Sequence, residues 1–169
     1  MTGKTHILGG MDAVLIAPLL STTLATSLVG MNHAELAMCL GAAVVGSLFP
    51  DIDLHGSKMG HKAGAASWVI QFVFGHRTLF HSPLLMLIIY LGMAIFFPEY
   101  QIYTVFFLIG MGSHLLLDMC NKKGIPLLYP FPKRFHIASV RTRSAAEAGV
   151  AAVLFFILVA FMVYILVLS

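Results

Sequence analysis

Two carboxylates, Asp51 and Asp53, stand two residues apart directly after Pro50, where an apolar run stops. Carboxylate oxygens at this spacing are hard ligands able to bridge two cations or orient a water, although acidic residues beside a proline are also ordinary turn chemistry. A second pair, His114 and Asp118, lies four residues apart within another apolar run. On a helix both side chains project from one face, one turn apart, and can share a cation. An aspartate at the centre of a hydrophobic span costs about 2.5–3.5 kcal/mol and needs a partner. The plainer alternative is that Asp118 marks the membrane exit while His114 bonds a neighbouring helix. His76, Arg77 and His81 place a guanidinium, the usual bidentate grip on phosphate, between two imidazoles. Arg77 equally suits a topological anchor. His6 and Glu147 also fall at the ends of hydrophobic segments. The two cysteines, Cys39 and Cys120, are too few and too differently placed for a disulfide framework or a thiolate site. A metal here would therefore be held by nitrogen and oxygen. That donor set points to zinc, with manganese or iron as alternatives, over magnesium or calcium.

The elements that must position these residues are membrane-length. Of 169 residues, 59% are hydrophobic and only 10% charged, against about a quarter charged in soluble domains. The chain reads as an all-α polytopic membrane protein with about five transmembrane helices, at about 7–29, 36–49, 82–97, 102–119 and 145–168, in a single membrane-embedded domain. The first is kept as a span, not a signal peptide, because Asp12 interrupts it and it exceeds a normal h-region. Ala63 to Phe74 is apolar but too short to cross and reads as an interfacial or re-entrant helix. The net charge of +3 and the lack of recognition motifs exclude nucleic acid as a partner.

With five spans, all ten Lys and Arg residues fall on one side, in the N-terminal stub and the 50–78 and 120–144 loops. The positive-inside rule then gives N-terminus in and C-terminus out. The same division gathers His6, Asp51, Asp53, His76, His81, His114, Asp118 and Glu147 at the cytoplasmic ends, leaving His33, Glu35 and Glu99 opposite. His55, His61 and His136 read as interfacial, and Asp12 as packing or support for the site.

The ordered series Thr5-His6, then Leu48-Phe49-Pro50-Asp51-Ile52-Asp53, Gly75-His76-Arg77 with His81-Ser82, Gly112-Ser113-His114 with Asp118-Met119, and Gly124-Ile125-Pro126-Leu127-Leu128 ending in Pro130 resembles the LexA-regulated, inner-membrane-associated metal-dependent hydrolase family. No single block is specific, but the ordered set is, and it runs from the N-terminus to the region of Glu147. The resemblance implies a bacterial or archaeal inner-membrane hydrolase. It implies metal ligands at His6, Asp51, Asp53, His81, His114 and Asp118, with Glu147 at the matching acidic position. Two departures are Leu54, which intervenes before His55 where members often carry histidine, and Thr78-Leu79-Phe80, where a small glycine and threonine are frequent.

Residues and resemblance together lead to the expectation of a divalent-metal hydrolase at the cytoplasmic membrane face, acting on a phosphate ester of a lipid or other amphiphile. In this reading Asp53 or Asp51 bridges metal or orients water, His76 transfers a proton and Arg77 holds the anionic group. The competing classes are a divalent-metal transporter or sensor, whose ligands belong near the midplane, and a non-catalytic subunit pinned by a metal.

Overall fold

The computed structural model describes residues 1–53, 62, 64, 79–131 and 133–168. Its elements are helices: α1 (Gly3–Leu20), α2 (Thr22–Val29), α3 (His33–Leu48), α4 (Pro83–Phe96), α5 (Gln101–Met119) and α6 (Ala145–Leu168), with short 3-10 turns at Phe49–Asp53, Leu79–His81 and Pro98–Tyr100. No strand forms among the described residues, only isolated bridges. The fold is that of a helical membrane protein. Three segments, His33–Asp53, Pro98–Met119 and Ala145–Tyr164, are each long and apolar enough to cross a bilayer.

The first expected span is not one straight helix. α1 and α2 meet at an angle of 106°. Pro18 lies inside α1, where it removes a hydrogen bond and crowds the preceding turn. Three residues on, Ser21 is extended and its hydroxyl accepts from the Leu24 amide at 3.4 Å, starting α2 afresh. α4 is shorter than a usual span, its 14 residues reaching about 21 Å at 1.5 Å each, although it carries the chain from the His81 turn to the start of α5. By length the described helices thus give three crossings, or four if the bent pair counts as one. The expected helix at Ala63 to Phe74 lies outside the described residues.

The centre of the fold is the seam between α3 and α5, which make the most extensive contact, with α1 packed on both. Gly46 and Gly110 allow it: a Cβ on Gly110 would collide with the backbone of Ala43, and one on Gly46 with the backbone of Phe107. Small residues substitute for hydrophobic drive in such seams, because lipid is as apolar as the helix faces. At one end of the seam Val14, Cys39, Ala43 and Phe106 form a buried cluster, and nearer the other Met111 and Leu115 pack with Ile125.

Local chemistry sets the helix ends. Asn32 and Glu35 form a reciprocal capping box at the start of α3. At the end of α5 the irregular segment 120–144 folds back, and the amides of Ile137 and Val140 donate to the carbonyls of Met119 and Cys120 at 2.8 and 3.0 Å. Those are carbonyls that a helix end otherwise leaves without partners. This cap fixes the last turn of α5, which carries Asp118. α6 touches chiefly α1, and exposed Val153, Phe155 and Phe156 give it the all-round apolar surface of a lipid-facing helix.

Candidate metal centre

Four of these elements end at one place. His6 comes from the first turns of α1, Asp51 and Asp53 from the 3-10 turn after α3, His81 from the turn before α4, and His114 and Asp118 from the end of α5. All are buried except Asp51, whose side chain is 17% exposed. One nitrogen or oxygen from each of His6, Asp51 and His114, and likewise from each of His81, His114 and Asp118, lies within 4.8 Å of the others in its set. The two triads share His114 and so make one compact cluster. Across it, His6 Nε2 is 3.5 Å from Asp118 Oδ1 and the His6 ring stacks on His114 with centroids 3.7 Å apart.

Proton positions follow from the partners. His114 Nδ1 is 2.7 Å from the carbonyl of Ser47, which can only accept, so this nitrogen carries the proton. His81 Nδ1 lies 3.2 Å from Asp53 Oδ2, an ion-pair distance that leaves the His81 tautomer open. The remaining His114 Nε2 then presents a lone pair and faces His81 Nε2 at 3.3 Å, a contact that a proton on His81 Nε2 or a shared cation would satisfy. Two imidazole nitrogens held at 2.0–2.1 Å by one tetrahedral zinc stand about 3.3 Å apart, so the spacing fits a metal. Asp118 Oδ2, at 3.6 Å from His81 Nε2 and 3.8 Å from His114 Nε2, supplies the third donor. Asp51 Oδ1 lies 3.9 Å from His114 Nε2 on the more open side. His6 adds a further fit: its buried Nδ1 has no hydrogen-bond partner among the described residues. Histidines oriented by a carbonyl or carboxylate through the far nitrogen are the usual arrangement around bound metals.

Asp53 stands outside both triads and holds His81 from behind. Glu147 is also outside: Thr2 N and Thr5 Oγ1 donate to its Oε1, the latter at 3.1 Å, and the Arg143 amide donates to Oε2 at 2.5 Å. It ties the start of α6 to the start of α1, one residue from His6. Glu147→Gln is therefore expected to lower the unfolding midpoint in detergent, by the ~1–3 kcal/mol of a buried donor left unmet, while metal content per protein stays at the wild-type level. His76 and Arg77, expected to act in proton transfer and anion binding, lie outside the described residues, as do His55 and His61. His136 is exposed. Asp12 is buried in α1 with neither carboxylate oxygen hydrogen-bonded among the described residues, about 9 Å along the helix from His6. Sequence reasoning missed the Ser47 carbonyl, a backbone group with no residue signature. It also missed the contact of the Met1 amino group with Asp118 Oδ1 at 2.8 Å.

The chain is 39% identical over 153 residues to the uncharacterized protein YvsG of Bacillus subtilis (strain 168), covering 90% of this chain and 88% of that one. It is 34% identical over 100 residues to the inner membrane protein YdjM of Escherichia coli (strain K12), and equally to that of Shigella flexneri, covering 57% of this chain and 51% of each. No solved structure matches it. The family model described as YdjM inner membrane protein matches residues 1–169, and the chain belongs to that family of membrane proteins.

Proposed function

We propose that this chain is a multi-pass, membrane-bound metal-dependent hydrolase that cleaves a phosphate ester of a lipid or other amphiphile at the cytoplasmic face. The observation that carries this reading is the convergence of three imidazoles and two carboxylates, His6, His81, His114, Asp51 and Asp118, at the membrane-exit ends of the helices. A divalent cation, zinc before manganese or iron, suits the mixed donor set and would supply Lewis acidity, polarising a phosphoryl oxygen and making water a stronger acid. His81, His114 and Asp118 would hold it, with His6 and Asp51 beside them. Asp53 backs His81 electrostatically at 3.2 Å, and the Ser47 carbonyl fixes the tautomer and direction of His114. Asp51, the most exposed carboxylate of the cluster, is placed to accept a proton from water arriving from outside. Arg77, four residues before His81 in the sequence, provides the anion grip in this reading. Orientation in this reading takes α4 as a crossing together with the other four apolar segments, which puts all ten Lys and Arg residues on the side of the cluster.

The one-ended position of the cluster favours hydrolysis over transport, because a transport site belongs near the midplane with access from both faces. The test is to purify the protein in detergent, quantify bound metal and assay a panel of phospholipids and polyprenyl phosphates. Metal-dependent release of a phosphorylated or dephosphorylated product is expected. Turnover that survives complete metal removal, or metal uptake into liposomes with no hydrolysis, would defeat the proposal. Asp53→Asn is expected to weaken metal affinity about 10–100-fold without abolishing binding, the usual cost of losing an orienting partner. Competition against a fluorescent chelator measures it.

A further inference from the structure

α3 and α4 both lean on α5 but hardly touch each other, and this leaves a cavity of about 380 Å³ over the first half of α5. Ala42 closes it on one side, Ile89 and Met93 on the other, and Tyr103 and Phe107 form its floor. Thr104 also lines it, but its hydroxyl is spent on the Tyr100 carbonyl at 3.1 Å, so the wall is apolar. We infer that this cavity holds one acyl chain of the lipid whose phosphate meets the metal centre.

Size, chemistry and connection argue for that occupant. The volume lies in the range of about 300–1,000 Å³ typical of small-ligand sites, and it is too small for a partner helix about 10–12 Å across. An apolar wall repels water and ions, which would lose hydrogen bonds there. The hydrocarbon of the bilayer is the medium around α4, whose Leu87, Ile88, Leu91 and Ile95 are exposed. The cavity also leads toward the cluster. Phe107 packs edge-on against Phe49 with centroids 5.3 Å apart, and Phe49 lies 6.0 Å from Phe80. Phe49 precedes Pro50-Asp51 and Phe80 precedes His81, so an aromatic wall joins the cavity to both sides of the centre. Along α5, Phe107 is about 10 Å from His114 and Tyr100 about 21 Å. A chain lying in the cavity would thus run back from a headgroup at the cluster.

The headgroup end of this inference rests on the hydrolase reading; the cavity does not. The test places the protein in phosphatidylcholine nanodiscs containing phosphatidylglycerol with a diazirine near the end of one tail, and maps photo-crosslinks by mass spectrometry. Labelling is expected at Met93, Tyr103 and Phe107, and should fall at least fivefold in Ala42→Phe and in Met93→Trp, both of which fill the space. Both variants should keep wild-type metal content, and in both turnover should fall for long-chain esters but not for soluble short-chain ones. Labelling spread evenly over the lipid-facing surface and unchanged by filling would overturn the inference, as would crosslinks joining two copies of the chain at these positions. If no ester is cleaved yet the site-specific labelling persists, the hydrolase reading fails and the cavity stands. If filling slows short and long esters alike, or neither, the cavity assignment fails while hydrolysis stands.

Discussion

Replacing His114 by alanine is expected to leave the purified protein without its metal: the affinity should fall by more than the ~100-fold that loss of an orienting residue alone can cost, and hydrolysis should stop with it. The expectation is specific to this residue, because His114 is the one side chain common to both triads. Its Nδ1 is anchored on the Ser47 carbonyl, its ring stacks on His6, and its Nε2 faces His81 at 3.3 Å. Removing it empties the middle of the cluster and breaks a donor position that joins α1, α3, α4 and α5. Metal analysis of protein kept folded, verified by a monodisperse elution profile, is the check. His136→Ala, at an exposed position in the 120–144 segment, is the matched control and should change neither metal nor activity.

The second large effect comes from a residue with no functional group. Gly110→Ala is expected to abolish tight metal binding or prevent folding. A Cβ at Gly110 would overlap the Ala43 backbone, and helices α3 and α5 would have to part to admit it. Overpacking of this kind costs about 1–3 kcal/mol or more. The chemical consequence is larger, because the seam sets the distance between Ser47 and Asp51 on one side and His114 and Asp118 on the other. A shift of about 1 Å can cost ~100-fold in a positioned site. Gly41→Ala on α3 meets nothing within 4 Å and should be harmless. Equal loss in both variants would show that the seam is not what holds the donors in register.

Much of the site is legible from residue spacing. His114 and Asp118 at i and i+4 do share a buried face of α5, because helical period alone fixes that relation. The pair Asp51 and Asp53 is visible too, but its division of labour is not. Phe49–Asp53 is a 3-10 turn, with about three residues per turn, so residues two apart point in quite different directions. Asp51 consequently faces His114 while Asp53 faces His81. Glu147 illustrates another limit. An acidic residue in the first turn of a helix suits the positive helix end, and nothing in its spacing tells that Thr2, Thr5 and Arg143 take up its oxygens. Apolar runs locate membrane segments well, yet the 106° bend within the first depends on Pro18 and on Ser21 acting as a cap, signals that hydropathy averages away. Likewise α4 is only 14 residues long, yet it carries the chain from His81 at the cluster to the start of α5, whose other end returns to the cluster.

In the proposed site, imidazole and carboxylate groups from four elements would hold one cation cluster. X-ray absorption at the zinc edge, on protein loaded with zinc and washed free of excess, tests it most directly. A nitrogen and oxygen shell at about 2.0–2.1 Å with the outer-shell scattering of two or three imidazoles is expected. A shell containing sulfur at about 2.3 Å, a shell without imidazole, or zinc that washes away entirely would contradict it.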